Sequence, residues 1–282
     1  MRKILPDSVT LSKIKCPICG SDFEIKNDSS LLCNGQKRHC YDFSASGYVN
    51  FMPPGSTDGG DSKEAVAARR NFLSKNYYRP CADALAATLR KYVAPESVLI
   101  DAGCGEGYYL SLVAKDGYSV SGIDISKSAV QAASKLMGAT GVPNGFFAVG
   151  SVFDLPFVDS SADAVINVFA PCSEKEFSRV LRQDGILAVV YAGPDHLMGL
   201  KQALYTETHQ NDGRADMPEG MELIEEVRVR FDITVEGQEN IQNLFSMTPY
   251  YWRTSKTDSE KLKAIESLKT PVDMIIAVYK NK

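Results

Sequence analysis

The sequence predicts an α/β fold, a largely parallel sheet with helices on both faces, preceded by a small cysteine-rich module. Three observations predict it. From about residue 97 short apolar runs alternate with amphipathic ones. Cys16, Cys19, Cys33 and Cys40 crowd into one stretch near the start, alongside His39. Between the two regions, "MPPGSTDGGDSK" (52–63) has the proline and glycine content of a linker.

The 282 residues suffice for a full core, and 44% hydrophobic with 23% charged residues is the composition of a soluble globular chain. No apolar run approaches the roughly 20 residues of a membrane span. "MRKILPDSVTLSKIK" lacks the apolar centre of an export signal, so the expected compartment is the cytoplasm. There, seven cysteines, an odd number, read as thiols or metal ligands and not as disulfides. The net charge of −4 divides unevenly, with +4 in residues 1–80 and −8 beyond. A basic front suits a polyanion, although a solvated basic face is the commoner cause of so small a difference.

In order along the chain, "CPICGSDF" and "LLCNGQKRHC" give Cys16-x2-Cys19, then Cys33, then His39 and Cys40. Thiolates two residues apart can share one tetrahedral ion, with Gly20 easing the turn after them. Zinc is the expected occupant. A redox pair would need a thioredoxin-like βαβ setting, and an iron–sulfur cluster four well-spaced cysteines. His39 and Cys40 both stand in reach as fourth ligand. A module this short buries little on its own, so the metal would supply much of its folding free energy. Next, "EAVAARRNFLSKNYY" (64–78) sets Ala65, Ala68, Phe72 and Leu73 on one helical stripe, with Arg69 and Arg70 beside it.

In the body, "SVLID", "SVSGID", "GFFAVG", "DAVINVF" and "ILAVVYAG" read as buried strands. "YYLSLVAKDG", "KSAVQAASKLMG" and "EKEFSRVLRQDG" between them read as helices. Two late runs, "EEVRVRFDITV" (225–235) and "VDMIIAVYK" (272–280), are expected to pair antiparallel at the sheet edge, giving seven strands in all.

The loop after the first strand reads Asp101-Ala-Gly103-Cys104-Gly105-Glu106-Gly107-Tyr108. Glycines between a strand end and a helix start bring backbone N–H groups close to a ligand. A dinucleotide fingerprint would hold its last glycine where Tyr108 stands. Two carboxylates, Asp101 and Glu106, suit a cation better than a pyrophosphate. S-adenosylmethionine (SAM) carries a sulfonium and an ammonium and no phosphate. Asp124, ending the next strand in "GIDIS", is placed to accept from ribose hydroxyls, and Ser151 and Val152 in "VGSVFDLPF" to flank adenine. These three elements in this order resemble the class I SAM-dependent methyltransferases, a Rossmann-like fold; the other reading is an NAD-binding or purely structural turn.

Together with the front module the resemblance narrows. "CPIC…C…H-C-YDFSASGYVNFMPP", "GDS…ARRNFL…YYRP", "DAGCGEGYY", "APC", "GPDHLMGLK…LY" and "MTPYYWR" resemble the RlmA family from near residue 16 to near residue 253. These are bacterial 23S rRNA (guanine-N1)-methyltransferases acting on a hairpin in domain II, one branch of which influences macrolide-type antibiotic susceptibility. The resemblance implies a zinc-binding RNA-recognition domain over residues 1–51, a linker and helix over 52–76, and a SAM-dependent methyltransferase domain over 77–282. It implies the zinc ligands Cys16, Cys19, Cys33 and His39. The five residues between Cys33 and His39, where three are expected, keep Cys40 open. It further implies cofactor contacts at Tyr78, the Gly103–Gly107 loop, Asp124 and His196, and a homodimer offering a basic cleft to 23S rRNA or a ribosomal precursor.

Guanine N1 is neutral and weakly acidic, so a base or a charge-stabilising group beside it should matter. "NVFAPC" (167–172), at the strand end nearest the expected methyl position, lacks the N-P-P-Y of exocyclic-amine methyltransferases. Asp154, Glu106 and His196 are the catalytic candidates, His196 as the opening residue of a helix "HLMGLKQALY". Lys37, Arg38, Arg69 and Arg70 are the phosphate-contact candidates. "TPYYWRTSK" is either a stacking surface for bases or an edge strand over the core. Two other functions fit: a SAM-dependent methyltransferase of a small molecule or another RNA, and a zinc-dependent RNA-binding module with an inactive methyltransferase fold.

Overall fold

The computed structural model describes residues 3–53, 55, 60–142, 145–213 and 220–282. Much of the 52–63 linker therefore lies outside the described residues.

The front module comprises a one-turn helix α1 (Ser8–Leu11) and three antiparallel strands, β1 (Phe23–Lys26), β2 (Ser30–Cys33) and β3 (Cys40–Asp42). Two residues of β4 (Val49–Asn50) follow. Helix α2 (Lys63–Leu73) starts where the Ser62 side chain accepts from the Ala65 N–H, and it buries Ala65, Ala68, Phe72 and Leu73, the expected stripe. Helix α3 (Arg79–Tyr92) comes next, with Pro80 in its first turn, where a missing N–H costs nothing.

The body then alternates β5 (Val98–Ala102), α4 (Tyr108–Val113), β6 (Ser119–Asp124), α5 (Lys127–Thr140), β7 (Phe146–Val149), β8 (Ala162–Val168), α6 (Glu174–Val180) and β9 (Leu181–Ala192). After α7 (Met198–Leu204) come β10 (Met221–Glu236), α8 (Gln238–Ser246), α9 (Tyr250–Arg253), α10 (Lys256–Glu260) and β11 (Ser267–Asn281). Among the described residues the strands lie in the order β10-β11-β9-β8-β5-β6-β7-β4. Pairing is parallel from β4 to β9, while β11 runs antiparallel to both β9 and β10. The two late strands thus pair as their alternation predicts. β5 lies between β6 and β8, so the chain's direction of travel reverses there and a crevice opens at the strand ends.

The sheet has eight strands where the pattern predicts seven. The extra one, β4, comes from the front module: Val49 and Asn50 pair with Ala148 and Val149. Two residues carry no readable alternation. The front module also shares its core with the sheet. Ile14, Phe23, Leu31 and Phe51 pack in one cluster with Ile100, Phe146 and Phe157. Ile14 bridges Phe157, and the Lys15 N–H reaches the Pro156 carbonyl at 3.0 Å. At the other end of "EKEFSRVLRQDG", α6 stops at Val180 and Leu181 already belongs to β9. "PYYWR" forms the short helix α9 instead of an edge strand, leaving Tyr251 and Trp252 exposed.

Candidate active site and metal centre

In the front module the ligand atoms of Cys16, Cys19, Cys33 and His39 all lie within 4.8 Å of one another. His39 Nδ1 is 3.5 Å from both the Cys16 and Cys33 Sγ, and the Cys19 and Cys33 Sγ are 3.8 Å apart. Zinc with bonds of about 2.3 Å to sulfur and about 2.0 Å to nitrogen would impose tetrahedral edges of about that size, so this donor set fits the ion. The reason His39 joins and Cys40 does not is local. Arg38 takes a left-handed backbone, φ 45°, which swings His39 inward before Cys40 begins β3 with its thiol exposed. The Cys33 N–H donates to the His39 carbonyl and the His39 N–H to the Cys33 sulfur, fixing the two ligands against each other.

The second site lies where β5, β6 and β8 end. Gly103 and Gly107 adopt φ of 88° and 81°, and a Cβ on Gly103 would fall 2.3 Å from that of Ala170. The Gly103 and Cys104 N–H groups both donate to the Ile123 carbonyl, pinning the loop to β6. Asp124 grips the same loop: its Oδ2 accepts from the Gly105 N–H at 2.9 Å and its Oδ1 from the Ser126 N–H at 2.8 Å. Asp101 and Glu106 are buried nearby. Burial pushes all three carboxyls above their usual range; Asp124 and Glu106 add to the effect at Asp101, while the Arg69 guanidinium opposes it at Glu106. A cationic ligand would relieve this cost, and a pyrophosphate would raise it.

Several buried polar atoms here have no hydrogen-bond partner: Tyr78 Oη, Asp101 Oδ1, Tyr109 Oη and Asn167 Oδ1. Unsatisfied groups gathered at one crevice mark a place where a polar ligand completes the structure. The charge and these open acceptors together fit SAM. Ser151 and Val152 stand on the turn after β7, joined to Asp124 through the Gly150 N–H, which reaches the Asp124 carbonyl at 3.0 Å. Cys104 is buried beneath the loop, 3.0 Å from where a Cβ on Gly122 would lie.

His196 is buried between two rings, stacked on Phe169 at 5.6 Å and tilted against Tyr78 at 5.9 Å. Its Nδ1 accepts from the Asp273 N–H at 3.3 Å, and burial holds its pKa down to about 4. The ring is therefore neutral, with its proton on Nε2. It does not open α7, which begins at Met198 after Leu197 turns left-handed. Leu197, Leu200 and Leu204 are nonetheless all buried. Of the other catalytic candidates, Glu106 is tied to Arg69 at 3.4 Å, and Asp154 is exposed on the turn after β7.

Three further contributors are not among the sequence candidates. Asn167, fully buried, donates to the Ala102 carbonyl at 2.8 Å and the Pro171 carbonyl at 3.1 Å, tying the ends of β5 and β8 together. Phe169 leaves β8 at φ 52° with its ring half exposed. Asp273, fully buried, receives Arg228 through two bonds of 2.8 Å and the Asp195 N–H at 3.0 Å, holding the turn that carries His196. One signal was available for Asn167 and Asp273: a single polar residue inside each of the apolar runs 164–169 and 272–278. From sequence, Arg69 is a candidate phosphate contact. It faces inward instead, paired to Asp61 and Glu106.

Comparison with known proteins matches both parts of the chain. A family model described as "Methyltransferase domain" matches residues 94–247, and one described as "RlmA, N-terminal" matches residues 14–56, which include all four ligands of the metal cluster. The Bacillus subtilis (strain 168) protein YxjB, named provisionally as a 23S rRNA (guanine-N(1)-)-methyltransferase, is 31% identical over 96% of this chain and 98% of its own. The chain belongs to the RlmA methyltransferase family. A 23S rRNA (guanine(748)-N(1))-methyltransferase of Streptomyces fradiae is 34% identical over 68% of this chain and 67% of its own. A Micromonospora griseorubida relative with the same provisional name as YxjB is 30% identical over 95% and 96% of the two chains. As an RlmA-family methyltransferase the protein takes SAM as its cofactor and zinc in its N-terminal ribbon. Among the described residues no helix is long and apolar enough to cross a membrane.

Proposed function

We propose that this protein transfers the methyl group of SAM to N1 of a guanine in 23S rRNA. The observation that carries the reading is the span of the similarity: the alignment to YxjB takes in 96% of the chain, zinc ribbon and carboxylate pocket together. A small-molecule enzyme would have no evident use for the ribbon. The hairpin of domain II, and a dimer presenting a shared basic cleft, rest on the family resemblance alone. We place the ribbon and RNA recognition in residues 1–51, the linker and α2 in 52–76, and the methyltransferase domain in 77–282.

When bound, SAM supplies an electrophilic methyl group on sulfur; the protein's part is alignment and control of charge. Tyr78, Asp101, the Gly103–Gly107 loop, Asp124, Ser151 and Val152 form the wall proposed for the cofactor. Phe169 offers an open ring at the rim for a base taken out of its stack. His196 presents an N–H and not a lone pair, since Asp273 occupies Nδ1. It therefore acts as a donor to the negative charge that guanine acquires as N1 loses its proton, and the proton passes to solvent. Glu106 and Asp154 are set aside as bases, the first paired with Arg69 and the second exposed.

N1 methylation blocks Watson–Crick pairing, so primer extension gives a direct test. Incubating 23S rRNA with the zinc-loaded protein and SAM should produce one new stop for reverse transcriptase, one nucleotide 3′ of a guanine. Full methyl incorporation without any stop would assign another acceptor atom.

A further inference from the structure

Arg69 sits at the centre of a closed ring of contacts. Its guanidinium lies over the glycine loop, 3.4 Å from where a Cβ on Gly105 would stand. Nη1 meets Glu106 Oε2 at 3.4 Å, and Nη2 pairs with Asp61. The Asp61 carbonyl accepts from Ser126 Oγ at 2.8 Å. The Ser126 N–H bonds Asp124, and Asp124 bonds the Gly105 N–H, one residue before Glu106. The circuit thus runs Arg69, Asp61, Ser126, Asp124, Gly105, Glu106 and back. Just ahead of Asp61 the chain lies flat on β6's exit, since a Cβ at Gly60 would come within 2.7 Å of Ile125 Cγ2.

We propose that Arg69 is a positioning residue for the SAM pocket, holding the 60–62 turn, where the chain arrives from the zinc ribbon, against Glu106 and the ribose-side carboxylate Asp124. The inference rests on the reading of this crevice as the SAM site. Only 5% of the Glu106 side chain and 23% of that of Arg69 are exposed, and both carboxylates paired with Arg69 hold its guanidinium over the loop. Without the guanidinium, Glu106 is left buried and uncompensated in a loop that already crowds Asp101 and Asp124, and the loop must move or take up a proton. The turn would then lose its only charged tether to the loop among the described residues. Arg70, one position on, is exposed and free to face a phosphate.

Calorimetric SAM titrations of the zinc-loaded full chain test this, with Arg69→Gln, Arg69→Lys, Asp61→Asn and the Arg69→Gln/Asp61→Asn double variant. Arg69→Gln and Asp61→Asn should each weaken SAM binding by about tenfold or more, with Arg69→Lys between them and the wild type. The double variant should be no worse than Arg69→Gln, because both changes break one circuit. KM for SAM should rise by more than kcat falls. RNA affinity should keep its salt dependence in Arg69→Gln. Unchanged SAM affinity in Arg69→Gln and Asp61→Asn would overturn the inference while leaving the SAM site intact. A flattened salt slope in Arg69→Gln would overturn it too, by making the residue a phosphate contact. A wild-type chain that takes up no SAM would bring down the pocket reading first, and this inference with it.

Discussion

The zinc cluster and the pocket proposed for SAM are built in opposite ways. The cluster draws four like-minded donors from residues 16–39, and they converge on one another within 4.8 Å. The pocket draws Asp61, Arg69, Tyr78, Asp101, Glu106, Asp124, Asn167, His196 and Asp273 from across the whole chain. Its carboxyls repel each other, and the sheet holds them together. The first site is made by its ligand, while the second is made by the fold and then waits for its ligand under electrostatic strain. Zinc belongs to the folding problem, SAM to the binding problem.

Loss of a metal ligand should do the most damage. Cys33→Ala should abolish stoichiometric zinc and cost several kcal/mol of stability. The loss should reach beyond the ribbon, because β4 and Phe51 belong to the main sheet and its core. Zinc analysis with thermal melts followed by circular dichroism would check this. A ribbon that melted alone, leaving the main transition untouched, would show that the shared core counts for little. Withholding SAM should leave the melt cooperative.

His196 sharpens the other half. Its pKa is lowered from 6.5 to about 4 by burial, so the unfolded chain binds the extra proton first as pH falls. Stability should be complete above pH 6.5 and decline towards pH 4, by up to about 3 kcal/mol. His196→Gln should flatten that window in urea titrations at several pH values. An identical slope in the variant would mean that the ring is not the buried neutral group described above.

A smaller effect separates holding a ligand from holding the fold. Asp101 has a carboxyl raised above 3.8, so its contribution to stability is present below that pH and lost as pH rises through the elevated value. Asp101→Asn should therefore melt no lower than the wild type at neutral pH, yet bind SAM about tenfold more weakly, as calorimetry would report. The smallest expected change is at the surface. Arg70→Gln should reduce the salt slope of RNA binding by about 1, with SAM affinity unchanged.

What the sequence disclosed follows from the same contrast. The cysteine spacing could be read directly because a zinc site is local, and the insertion after Cys33 was resolved only by the left-handed turn at Arg38. The place of the glycine loop between β5 and α4, and of Asp124 at the end of β6, was legible because strand-end loops recur at fixed spacing. Arg69 was not legible, because an arginine beside an apolar helical stripe looks the same in sequence whether it meets RNA or a carboxylate 37 residues away. Asp273 and Asn167 announce themselves only as polar residues in apolar strands, and their partners lie on neighbouring strands and the turns beyond them. Two-residue β4 had no pattern to read.

The central claim is that this pocket is built for a cation with a nucleoside attached. Calorimetry of SAM binding in two buffers of different ionisation enthalpy counts the protons exchanged. SAM binding should release protons, as the crowded carboxyls return towards their ordinary pKa values beside the sulfonium. A smaller release should accompany S-adenosylhomocysteine, which lacks that charge, and NAD should not be taken up. Tight NAD binding, or SAM binding that moves no proton, would contradict the claim.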